Sequence, residues 1–404
     1  MTTTSQARPH DTPTGGQPDK AGLHLLPLLV MMSTSFVLVT AEFLPSGVLS
    51  PMATDLRVSP GTAAQTITVT AIVGFLVAPT IGLMAPRVDR RRLLAVLALI
   101  AAASSLIVAV APTMWLVLVG RVLLGGALSG FWAMSLAVAM RLSTPGTLGR
   151  AVMIVTMGTS LATVAGVPLG VFVASHIGWR AVFGGIAVVT LVVAAAISVT
   201  LPRVPATSAA TLSTLGETIR RPGVTPGLIG HVLTVLGHML AFAFIRLAVE
   251  RLEGVTPATI TLLLALFGVG GLVGGITIGM LVDRHLAVLR FAVPLTTAAA
   301  VLGIALLPPS IPGIGALVTV WGGAFGGWLI VVNAWTSRQV PDRPEAGGGL
   351  VVAGFQLAIT LGAAVGGLLV DGPGVRAAYL VGGALLVIGG IVFGRAGSRS
   401  ASVL

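Results

Sequence analysis

LLPLLVMMSTSFVLVTAEFLPSGVL, residues 25–49, is the stretch that decides how this chain is read. Twenty-odd residues, nearly all apolar, are the length of one membrane-spanning helix at 1.5 Å per residue. A carboxylate, Glu42, lies well inside the stretch, and none of the other acidic residues is placed so. Carboxylates inside spanning helices are expensive in lipid, so they face a protein interior or a wet cavity and mark transport pathways. Two readings stand for Glu42: it snorkels outward or bonds locally, or it is a protonation site in a cavity.

The rest of the chain continues the pattern. Of 404 residues, 55% are hydrophobic and 9% charged, with mean hydropathy +1.03. That composition is a multi-pass membrane protein, and the 53 glycines suit close helix packing. Twelve apolar segments follow one another, and the longest polar interruption, from Pro202 to Thr225, divides them six and six. The expected organisation is a disordered cytoplasmic tail at 1–22, a six-helix bundle over 23–201, a central cytoplasmic loop over 202–225, a second bundle over 226–395 and a tail at 396–404. With both termini inside, seventeen basic residues fall on the cytoplasmic side and five outside, a strong positive-inside bias. An odd number of spans scrambles that bias.

Composition also excludes. The formal charge of +11 is spread in short clusters between apolar segments, not along one stripe, which argues against nucleic acid. The single lysine, Lys20, sits in a polar tail and cannot serve a Walker loop. Without cysteine there is no disulfide, thiolate metal site or thiol nucleophile. No intramembrane set of nucleophile, base and orienting group can be assembled, so no enzyme, metal or cofactor is expected. A channel or a receptor needs charge rings or a sizeable extramembrane domain, and neither is visible.

Arg121 is the natural partner of Glu42. Each lies about seven residues from the outer end of its own helix, so both sit roughly 10 Å deep. Burial disfavours the carboxylate charge and a facing cation favours it, and a group balanced between the two can take and release protons. The other reading of Arg121 is a structural arginine on backbone carbonyls. In the fifth helix Gly158, Ala162, Gly166 and Gly170 repeat a small residue every four positions, a ridge for tight contact, with Pro168 adding a bend. His231 and His238, seven apart, share a face of the seventh helix, and two histidines at that spacing cannot hold one metal ion. His238, near Phe242 and Phe244, is the better cavity residue, and Arg246 is either interfacial or a cavity cation. Asn333 and Gln356 are amides that suit a neutral polar ligand or interhelical hydrogen bonds. Trp335, near a helix end, reads as an interface anchor.

The loop Gly82 to Arg92 has an echo at Gly279 to Arg284, at equivalent positions of the two halves, and halves repeated in this way place a site at their interface. Together with Gly120-Arg121, Gly125, Gly166 to Gly170 and Gly178-Trp179-Arg180, these features resemble the major facilitator superfamily in its drug/proton antiporter branch. The resemblance covers Leu25 to Phe393. Within the branch, EFLP at 42–45, PMA at 51–53, Gln65, GFWAMS at 130–135, RPGV at 221–224, Ile245-Arg246 and Gln356-Leu357 are similar to the purine ribonucleoside exporters. The resemblance implies an all-α membrane fold of twelve helices in two pseudo-symmetric six-helix bundles. It implies export of nucleosides such as inosine and guanosine against protons, with multidrug or antibiotic efflux as the alternative. Implied with it are Phe43 and Trp132 at the substrate cavity, Asp89, Arg90, Arg91, Asp283 and Arg284 in gating loops, a monomer, and residence in the cell (inner) membrane. Three positions depart from the pattern: Pro86 where the superfamily has Asp, with Asp89 nearby, Leu247 where the exporters have Pro, and Val332 beside Asn333 in place of Trp.

Overall fold

The computed structural model describes residues 23–144, 146–205, 211–250, 254–308 and 310–396, so the expected tails, apart from Ala396, lie outside the described residues. The spans of the first half are Leu25–Gly47, Pro60–Met84, Arg90–Val110, Met114–Arg141, Leu148–Ile177 and Trp179–Thr200. Those of the second half begin with Val224–Phe242 and end with Ile311–Gln339, Pro344–Asp371 and Val375–Arg395. Between them Pro257–Leu306 runs for 50 residues, far too long for one crossing at about 1.5 Å per residue. It is two spans joined at His285, whose φ of −119° and ψ of 23° leave the helical region. The loop expected between the eighth and ninth spans is thus a kink, and the count of twelve stands.

Three further elements differ from the sequence reading. The seventh span, expected to reach residue 249, stops at Phe242 and resumes as Ile245–Glu250. The tenth breaks at Gly327 into Ile311–Gly326 and Trp328–Gln339. Within the expected central loop, Leu212–Arg220 is a helix, started by a reciprocal capping box between Thr211 and Thr214. The fifth span contains a π-helical turn, Ala162–Gly166, at the small-residue ridge.

Packing repeats between the halves. Span 2 lies on 4 and span 8 on 10; 1 lies on 5 and 6 as 7 lies on 11 and 12; 3 lies on 6 as 9 lies on 12. The seam between the halves obeys the same rule, with 2 against 11, 5 against 8, 4 against 11 and 5 against the end of 10. Span 8 meets span 10 so closely that Gly274 faces the Gly323 backbone and Gly322 the Phe267 carbonyl, where no Cβ fits. The sharp turn from span 5 to span 6 uses Gly178 at φ 86°, a conformation that costs glycine little.

Candidate functional site

Helix 5 sets the position of helix 1. Gly158 lies against Met32 and Ser35, Gly166 against Phe36 and Thr40, and Gly170 against Leu44. Ser35 Oγ adds a hydrogen bond of 2.5 Å to the Val155 carbonyl. The ridge therefore runs along the helix that carries Glu42, and Pro168 sits two residues after the π turn, which gives the turn a local cause. At the outer end Asp55 accepts from Trp179 Nε1 at 3.2 Å and pairs with Arg180, which stacks over the Trp179 ring and donates to the Ala111 carbonyl at 2.8 Å. These bonds tie the short helix Leu49–Asp55 to the start of span 6 and fix where helix 1 ends.

On that frame Arg121 reaches helix 1 from helix 4. It is 1% exposed, donates from Nη1 to the Ala41 carbonyl at 2.7 Å, and lies 5.2 Å from the Phe183 ring centre. Its Nε and Nη2 have no hydrogen-bond partner. Glu42, half-buried, is the next residue after the carbonyl that Arg121 holds, and no ion pair joins the two in this state. The contact to the Ala41 carbonyl matches the reading of Arg121 as a structural arginine, while its other two nitrogens make no hydrogen bond. Phe43 and Trp132 are half-buried, with Trp132 edge-on to Phe131 at 5.3 Å.

The second half offers a different surface. His238 is 3% exposed and receives a hydrogen bond at Nδ1 from Trp321 Nε1 at 3.0 Å. Its ring stacks on Phe325 with centres 3.3 Å apart and on Phe242 at 5.3 Å. His231 receives one from Trp328 Nε1 at 3.1 Å and donates from Nε2 to the Val351 carbonyl at 3.0 Å. Trp335, expected at the interface, is instead 2% exposed, packed on Phe393 and over Gly227. The side chain is needed to fill the space that Gly227 leaves. Asn333 donates Nδ2 to Leu329 O one turn back at 2.8 Å, so that donor serves its own helix. Gln356 is buried in the seam beside Gly74 and Ser129, and its Nε2 and the Ser129 Oγ have no partner. The Arg246 side chain lies outside the described residues.

The basic face of the seam is bridged by hydrogen bonds. Arg90, fully buried, forms a two-pronged pair with Glu345 at 2.5 Å on both arms and donates to the Ala85 and Val88 carbonyls at 2.7 and 2.9 Å. Arg90 starts span 3 and Glu345 starts span 11, so the pair joins the two halves. Asp283 accepts from the Gly149 amide at 3.0 Å, a free N–H in the first turn of helix 5, and its own carbonyl receives Arg338 at 2.7 Å. Asp89, by contrast, caps span 3 by accepting from the Arg91 amide at 2.9 Å and does not cross the seam. The Arg91 side chain makes a 3.5 Å contact to the Leu201 carbonyl, and Arg284 is exposed. Glu345 and Trp321 were missed in the sequence. Trp321, Trp328 and Trp335 repeat every seven residues, the spacing of His231 and His238, and that shared interval was the available signal.

Among known proteins, the family model described as Major Facilitator Superfamily matches residues 31–341 and 227–401. A Pseudomonas aeruginosa protein named Transcription regulatory protein OpdE is 35% identical over 373 residues, 89% of this chain and 91% of that protein. The Purine ribonucleoside efflux pump NepI of Salmonella paratyphi C is 34% identical over 355 residues, 88% of this chain and 89% of that protein. Among solved structures, the proton:xylose symporter XylE superposes with a TM-score of 0.73 at 16% identity, covering 91% of this chain and 94% of that one. FucP in the outward conformation gives 0.72 at 16% identity, covering 92% and 98%.

Proposed function

Because the chain belongs to the major facilitator superfamily, we propose that it is a proton-coupled exporter of purine ribonucleosides. The observation that carries the mechanism is Arg121, a fully buried cation bound to the turn of helix 1 that bears Glu42, with two of its nitrogens unspent. A deprotonated Glu42 is stabilised by that cation, and a protonated one releases it. Substrate and proton then compete for one cavity, and the halves rock about the seam formed by spans 2, 4, 5, 8, 10 and 11. The bonds at the basic face, Arg90–Glu345 and Asp283–Gly149, support an outward-facing resting state; the proposal further has cytoplasmic termini, the inner membrane and a monomer as the working unit. The two-pronged Arg90–Glu345 bond joins the halves beside the loop in which Pro86 stands. The family and the efflux-pump relative support transport rather than catalysis as the activity.

The driving force suffices. One charge falling through about 100 mV yields roughly 2.3 kcal/mol, enough for about a 50-fold gradient of a neutral solute. The nucleoside reading rests on the 34% identical relative together with the aromatic and amide side chains available for a planar, uncharged ligand. Labelled inosine and guanosine, offered to inverted vesicles or proteoliposomes with an imposed proton gradient, test it. Saturable uphill accumulation is expected. Flux of unrelated drugs without nucleosides replaces this reading with multidrug export, and flux that only runs downhill removes proton coupling.

A further inference from the structure

Spans 7 and 10 face each other through a ladder. His231 and His238 lie seven residues apart on span 7, and Trp321 and Trp328 seven apart on span 10. Each indole N–H points at the Nδ1 of one imidazole, at 3.0 Å for Trp321 to His238 and 3.1 Å for Trp328 to His231. An indole N–H only donates, so each Nδ1 must be a bare acceptor and each neutral imidazole carries its proton on Nε2. The tautomer of both histidines is thereby set by the facing tryptophan, as a carbonyl or carboxylate sets it elsewhere.

The two rungs then part. On the lower rung the Nε2–H of His231 is spent on the Val351 carbonyl at 3.0 Å, and the ring is 0% exposed. Every polar atom of that histidine is satisfied within the protein, and its role is to hold spans 7, 10 and 11 together. On the upper rung the Nε2–H of His238, in a side chain only 3% exposed, has no hydrogen-bond partner among the described residues. Phe242, Phe267 and Phe325, all half-buried, stack against the imidazole, with ring centres 5.3, 6.3 and 3.3 Å from it. Trp321 itself is fully buried and braced edge-on by Phe242, Phe267 and Tyr379. A polar hydrogen held rigidly in an aromatic wall is what a site needs to orient a flat ring by one acceptor atom.

We propose that His238 determines specificity by donating its Nε2–H to a carbonyl oxygen on a planar heterocyclic substrate, and that Trp321 is the positioning residue that keeps it a donor. This rests on the nucleoside reading above and deepens it. A 6-oxopurine presents an acceptor at position 6, whereas a 6-aminopurine presents a donor there. Against a fixed N–H the amino group meets donor with donor, and a buried unpaired donor is the costlier error. One neutral hydrogen bond of this kind is worth about tenfold in affinity.

The test is competition between inosine and adenosine for transport by the purified protein in proteoliposomes. The wild type is expected to favour inosine by about tenfold. Trp321→Phe keeps the ring and removes the N–H, so the imidazole is free to place its proton on either nitrogen. The ratio of inosine to adenosine transport should then fall toward unity. His238→Gln, whose amide turns either its N–H or its oxygen to the ligand, should do the same. A merely structural role of the pair lowers transport of both nucleosides together and leaves their ratio alone, and that result overturns the proposal. Equal wild-type preference for inosine and adenosine overturns it too, while the nucleoside reading survives. Transport of neither nucleoside overturns both.

Discussion

The two halves share one packing plan and hold opposite chemistry. In the first, a carboxylate and a guanidinium, Glu42 and Arg121, sit on adjacent turns of helices 1 and 4. In the second, the equivalent helices 7 and 10 carry no described charge at that level and meet through imidazole, indole and phenyl rings. The difference teaches how an exporter can separate its tasks. Charge in a low-dielectric interior suits ion coupling, because protonation changes its interactions greatly. A neutral hydrogen-bonding aromatic wall suits recognition, because its geometry is insensitive to the proton.

The sharpest way to break the comparison is Glu42→Gln. It should abolish proton-driven uphill transport while leaving substrate exchange, measured as counterflow in proteoliposomes, within a few-fold of wild type. Unchanged coupling removes Glu42 from the mechanism. His238→Gln should do the reverse, sparing coupling and changing selectivity, so a loss of coupling in that variant dissolves the division between the halves.

Next comes the tie between them. Glu345→Gln leaves the buried Arg90 without its counter-charge, and removing one partner of a buried pair costs about 3–5 kcal/mol. That cost falls on the state in which the basic face is closed. Cross-linking or thiol labelling of introduced cysteines should report that face opening, with a lowered melting temperature. A variant that labels like wild type shows that the seam does not depend on this pair.

The smallest effect is expected at the linker. Arg221 hydrogen-bonds Asp342 through both arms at 2.6 Å, with exposures of 30% and 53%. The guanidinium holds the Asp342 carboxyl down at about 2, from an ordinary 3.8. A depressed carboxyl stabilises the fold above its unfolded value, and the contribution is lost as pH falls from 3.8 toward about 2. Being exposed, the pair contributes under about 1 kcal/mol. Asp342→Asn should thus lower the melting temperature slightly at pH 7 and converge with wild type near pH 2. A large destabilisation instead assigns the linker a part in holding the halves together.

The spans were legible because lipid demands of each helix a local property, about twenty apolar residues, that any window of sequence displays. The six-and-six division was legible in the same way, as was the cost of Glu42 inside one such window. Even the ridge from Gly158 to Gly170 announced a close contact. What it touches did not appear, since nothing in residues 148–177 names helix 1 as the neighbour. The kink at His285 escaped because a basic cluster between two apolar runs reads as a loop whether the chain turns in one residue or in five.

Trp335 is the instructive miss. Its position near a helix end suggests the interface, yet it is buried because Gly227, over a hundred residues away, leaves it room. The same limit applies at the seam. Arg90 and Glu345 are 255 residues apart, and only the arrangement that sets spans 2 and 4 against span 11 brings the start of span 3 to Glu345. Sequence alone therefore determined the solvent this protein lives in, the number of its crossings and the residue whose charge must be explained. Tertiary structure decided which donors are spent and which are left, because a hydrogen bond between helices depends on register and distance that no single helix contains.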